Sequence, residues 1–159
     1  MIKVAFLGSS YSKDWVGRVN YMNNLFFAIS KLKGRRIEPI VFLGKNTDVL
    51  IIEKLKPHVK IVQNSVFDRK SIKWYISKIL ERIFGVTVLV DRILLKNDVL
   101  VISHSNAING YKYFKKINWI TDFQHIHFPG FFSDSEKKRR NRHYLNIFKQ
   151  SDRVIVSSY

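Results

Sequence analysis

Six short apolar runs punctuate the 159-residue chain: Ile2–Leu7, Ile37–Leu43, residues 59–62, 99–102 and 117–120, and Arg153–Val156. Most are continuous rather than alternating, the pattern of strands buried on both faces. Between them lie stretches with helical spacing. In residues 18–33, Val19, Met22, Phe26, Ile29 and Leu32 form a predicted core face. Lys31 and Lys33 suit the end of that helix, and Gly34 is a natural stop. Residues 48–56 read as a short helix closed by Pro57. Residues 68–84 read as a long one that Asp68 can cap and Gly85 ends, with Ile72, Ile76, Ile79, Leu80 and Ile83 on one face. Residues 88–96 lean to helix. Ser133 followed by Glu136 is a capping box that opens a last helix, running to about Lys149. Its predicted inward residues are Tyr144, Leu145 and Phe148, with Lys137, Lys138, Arg139, Arg140 and Arg142 outward, a run that suits equally a solvated face, a membrane patch or a phosphate contact. Pro39 suits only the start or edge of its strand.

Strand and helix alternating in this way define an α/β fold: a Rossmann-like, doubly wound, mainly parallel sheet with expected order 3-2-1-4-5-6 and right-handed crossovers. Such sheets bind ligands beyond the carboxyl ends of their strands, where the strand order reverses. The rule gathers residues 8–18, 103–106 and 122–129 around one crevice. The last of these belongs to the stretch WITDFQHIHFP, where an apolar strand turns abruptly into a carboxylate, an amide and two imidazoles.

The length fits one domain, and an apolar fraction of 46% with 14% aromatics fits a folded chain with a real core. There is no cysteine, which excludes disulfides and thiolate chemistry and suits a reducing cytoplasm. The apolar run at the start is too short for a signal peptide, and no window reaches the length of a membrane span. The formal charge of +16 points to an anionic partner: nucleic acid, an anionic membrane surface or phosphorylated ligands. A surface that is merely basic is the alternative, since the lysines are spread along the whole chain.

His125 and His127, two apart on a segment expected to be extended, would point to opposite sides. His125 is the favoured ligand contact. With Asp122 they lack a third and fourth ligand at convincing spacing, so no metal site is expected. The first loop carries Gly8 and Gly17 without the G-x-G-x-x-G spacing of dinucleotide folds. A helix beginning near Arg18 still offers N–H groups and one charge to a phosphate. No G-x-S-x-G elbow and no P-loop lysine is present. The helix at 68–84 combines Arg69, Lys70, Lys73 and Lys78 with Trp74 and an isoleucine face. It suits either an anionic bilayer or a core-packing helix with a solvated basic back.

Residues 117–158, with WITDFQHIHFPGFFS, EKKRRNRHYLNIF and DRVIVSS, together with GRVNYMNNLFFAI and ISHSN, resemble the N-terminal domain of the retaining, glycosyltransferase family 4-like enzymes. The resemblance implies one half of a GT-B fold: an acceptor-side domain transferring sugar to a glycan or lipid-linked acceptor, at the cytoplasmic face of a membrane. His125 matches the family's active-site histidine near the transferred sugar. Gly17 and Arg18 match the loop near the donor diphosphate, with Gly-Arg here where many members have Gly-Gly. Asp122, Gln124, His127, Ser105 and Asn106 would line the acceptor side. The retaining mechanism uses the donor phosphate to take the acceptor's proton, so no dedicated base is expected, and no metal. The nucleotide-sugar donor belongs to a C-terminal domain absent from these residues, so this domain is expected to bind no cofactor alone. It is expected to be a fragment, or to work with a partner chain carrying the donor half. The competing reading is a non-catalytic basic module for anionic membrane or nucleic acid, of which nucleic acid is the weaker expectation.

Overall fold

The computed structural model describes residues 1–8, 16–85, 87–105 and 110–157. Their strands are β1 (Ile2–Leu7), β2 (Ile37–Leu43), β3 (Lys60–Gln63), β4 (Val99–Ser105), β5 (Lys115–Ile120) and β6 (Arg153–Val156). They pair in the order β3-β2-β1-β4-β5-β6, every pair parallel. The helices are α1 (Val16–Lys31), α2 (Val49–Leu55), α3 (Ile72–Phe84), α4 (Val88–Lys96), α5 (Gln124–His127) and α6 (Asp134–Gln150). This is the Rossmann-like doubly wound sheet that the alternation predicts, and its order reverses between β1 and β4.

Strand β2 shows why the apolar runs do not alternate. Val41 and Leu43 enter one layer with Val4, Phe6, Met22, Phe26 and Leu55. Ile40 and Phe42 enter the opposite layer with Ala5, Val90, Leu94, Ile102 and Phe114. Both faces are covered there, so residues 40–43 are apolar in succession. Pro39 lies opposite Val4, and the pairing with β3 begins only at Ile40, so no ladder with β3 is interrupted.

Several local expectations change. Leu32 lies beyond α1 and is exposed, while Val19, Met22, Phe26 and Ile29 are buried as predicted. Asp68 does not cap α3, which starts later. Ser71 does, its Oγ accepting from the Trp74 N–H at 3.1 Å. The Asp68 carboxylate instead accepts from the N–H groups of Lys45 (3.0 Å) and Asn46 (2.8 Å), clasping the loop after β2. Gly44 makes room for it: a Cβ there would lie 2.1 Å from Asp68 Oδ1.

The apolar face of α3 points outward. Ile72, Ile76, Ile79 and Ile83 are exposed, and the buried residue of the helix is Ser77. Val90 and Leu94 of α4 supply helical side chains to the core layer of Ile40 and Phe42 instead. Gly85 does end α3, at φ 63°. In α6, Ile147 is buried and Tyr144 partly so, whereas Leu145 and Phe148 are exposed. Residues 122–129 are not extended. Gln124–His127 forms a single helical turn, followed by a 3₁₀ turn at Pro129–Phe131. Among the described residues no helix is long and apolar enough to cross a membrane.

Candidate functional site

The carboxyl ends of β1, β4 and β5 meet the first turns of α1 in a layered aromatic cluster. Trp119, one residue from the end of β5, is buried and stacks on Tyr21 of α1 with ring centroids 4.5 Å apart. Arg18 precedes Tyr21 by three residues, so both lie on one face of the helix. Its guanidinium sits 5.8 Å from the Trp119 ring, and its Nη2 donates to the His104 carbonyl at 3.1 Å. The His104 ring lies 5.5 Å from both Phe6 and Trp119.

A bulge in β4 puts His104 there. Ser103 pairs with Ile117 and Ser105 with Asn118, leaving His104 unopposed with a left-handed backbone, φ 50°. Its ring is bracketed by hydroxyls: Ser103 Oγ lies 2.9 Å from Nδ1 and Tyr21 Oη 3.3 Å from Nε2. Burial, and secondarily the Arg18 charge, push its pKa down to about 4. A neutral imidazole has one N–H and one lone pair, and the two hydroxyls can serve one each. Burial also raises the pKa of Tyr21, which keeps its proton.

In front of this cluster opens a cleft of about 520 Å³. Arg18, Trp119, Ile120 and Thr121 form one wall, and Arg139, Arg140, His143, Tyr144 and Ile147 of α6 form the other. Arg140 Nη1 donates to Asp122 Oδ1 at 3.4 Å, and its guanidinium lies over the Phe132 ring at 4.7 Å. Burial, then Arg139, lower the pKa of His143. Three guanidinium groups around an indole suit an anion attached to a flat or sugar-like body.

The residues singled out by sequence divide among several places. Arg18 is buried and lines the cleft. Gly17 is exposed in the first turn of α1, and a Cβ there would meet nothing within 4 Å, so no close approach demands a glycine. Asp122 pairs with Arg140 of the cleft and lines a neighbouring groove of about 710 Å³ with Phe123, Gln124, His127 and Phe128. His125 lines neither. It is 2% exposed, packed edge-on to Tyr144, with Nε2 2.8 Å from Asn141 Oδ1. Asn141 Oδ1 can only accept, so Nε2 carries the proton, and Nδ1 is buried without a hydrogen-bond partner among the described residues. Ser105 is buried between strands, its Oγ 2.8 Å from Asn118 Oδ1. Asn106 lies outside the described residues.

Of the residues expected at a bilayer, Arg69, Lys70 and Lys73 are exposed. Trp74 faces inward, over a small cavity shared with Phe67 and Tyr111, and Lys78 pairs with Glu81 at 2.6 Å. Among the described residues no group of three or more His, Asp or Glu comes together as a metal site. Tyr21 and Trp119 complete the cleft and its floor without having been assigned to it by sequence, whereas His104 belongs to the 103–106 segment placed there and Arg139 and Arg140 to the basic run of the last helix. The spacing of Arg18 and Tyr21 was the readable signal. No known protein family, curated protein or solved structure matches the chain.

Proposed function

We propose that this chain is the acceptor-side domain of a retaining glycosyltransferase that transfers a sugar from a nucleotide-sugar to a glycan or lipid-linked acceptor at the cytoplasmic face of a membrane. One observation carries the reading: an arginine-lined cleft opens at the carboxyl end of β5, between α1 and α6, with Arg18 and Trp119 on one wall and Arg139 and Arg140 on the other. Guanidinium groups there match the diphosphate of a donor, whose negative charge grows as the bond to the sugar breaks. The donor's nucleotide belongs to a second domain or partner chain.

Titration of the protein with a nucleoside diphosphate, followed by the indole N–H resonance of Trp119, tests the reading. A saturable shift is expected. Arg18→Ala or Arg140→Ala should weaken it about 10-fold or more, since a charge-assisted hydrogen bond contributes about 1.5–3 kcal/mol. No shift, or a shift that survives both substitutions, overturns the reading. Once the donor half is supplied, sugar transfer should appear and fall in His125→Ala.

A further inference from the structure

Helix α3 carries an apolar stripe that packs into neither core layer of the described residues. Ile72, Ile76, Ile79 and Ile83 recur at intervals of four, three and four, so they fall within about 60° around the helix. They are 79%, 45%, 56% and 66% exposed, with Tyr75 beside them at 51%. None belongs to either core layer. The opposite side, through Ser77, is what faces the protein. Lys73 and Arg82 flank the stripe on its two sides, and Arg69 and Lys70 stand at the amino end of the helix. No acidic side chain lies on the stripe itself: Glu81, the one carboxylate of α3, is turned inward and paired with Lys78.

We propose that α3 is a bilayer-docking helix that lies flat on a membrane bearing anionic lipid, its isoleucines entering the acyl boundary and Lys73, Arg82, Arg69 and Lys70 meeting the headgroups. Charge selects this occupant. A protein surface apolar enough to cover four isoleucines would not by itself answer cations on both flanks, whereas an anionic bilayer offers hydrocarbon and negative charge at the spacing an amphipathic helix needs. The chain's formal charge of +16 brings it to the same surface from a distance. The inference rests on α3 alone and not on the transferase reading. It also moves the contact from Trp74, which packs inward, to the isoleucines.

Flotation of the full chain with vesicles of phosphatidylcholine, with and without phosphatidylglycerol, tests the proposal. Binding is expected only with phosphatidylglycerol. Lys73→Gln with Arg82→Gln should weaken it about 30-fold, corresponding to about 1 kcal/mol for each cation near the surface. Ile76→Asp with Ile79→Asp should abolish it while the far-ultraviolet circular dichroism and the melting temperature stay near wild type, because both side chains are exposed. Trp74→Phe should bind as wild type does. Failure of the wild type to bind, or undiminished binding by the Ile76/Ile79 double variant, overturns the proposal. So does loss of binding confined to Arg139→Gln with Arg142→Gln, which would assign the contact to α6. A wild-type dimer in sedimentation that the Ile76/Ile79 variant makes monomeric, without vesicle binding by either, assigns the stripe to a second copy and also overturns it.

Discussion

His104 occupies a left-handed backbone at the end of β4, and its ring stays neutral to about pH 4. An unfolded histidine takes its proton near pH 6.5. Between those values the unfolded chain binds a proton that the folded chain refuses, so stability falls as pH drops from about 6.5 toward 4; above that window the residue makes no such difference. Asparagine tolerates positive φ better than most residues and does not titrate. His104→Asn should therefore have a flatter profile of stability against pH. Urea unfolding at pH 7 and at pH 4.5 should show the wild type losing on the order of 2 kcal/mol more than the variant. An identical loss in both would mean that the ring is protonated in the folded state well above pH 4.

At the scale of elements, α6 is the best specified by local sequence. Ser133 Oγ accepts from the Glu136 N–H, and Glu136 Oε2 accepts from the Ser133 N–H at 3.1 Å. Ser133→Ala should cost about 1 kcal/mol, measured as a shift in the urea midpoint at constant slope. The capping box, the bounds of β1, β2 and β6 and the strand order were all readable, because each follows from residue types close together or from a general rule of chain crossover. The direction of α3 was not. Isoleucines at helical spacing specify that a stripe exists, not what covers it, and α4 takes the place on the sheet. Leu145 and Phe148 of α6 fail for the same reason. The site was readable as an edge of the sheet but not as a set of contacts. His104 owes its position to a register shift between β4 and β5, which neither strand records alone. The helical turn at 124–127 places His125 against α6, where an extended segment had been expected.

At the scale of the whole molecule, an excess of positive charge on one small domain repels itself, and folding concentrates that repulsion. Salt screens it over a Debye length of about 10 Å at 0.1 M. The melting temperature should therefore rise as sodium chloride is increased from near zero to physiological strength. A melting temperature that falls with added salt would show instead that attractive pairs, such as Lys3–Asp98 and Lys115–Asp152, outweigh the repulsion. The strand order also decides how the sheet ends. Its rims are β3 and β6, each four residues long, carrying Lys60 and Arg153. A rim that short offers few free backbone bonds, and a second molecule approaching it in register would bring like charge against like charge. Molecules crowded side by side are thereby kept from growing into filaments, strand upon strand.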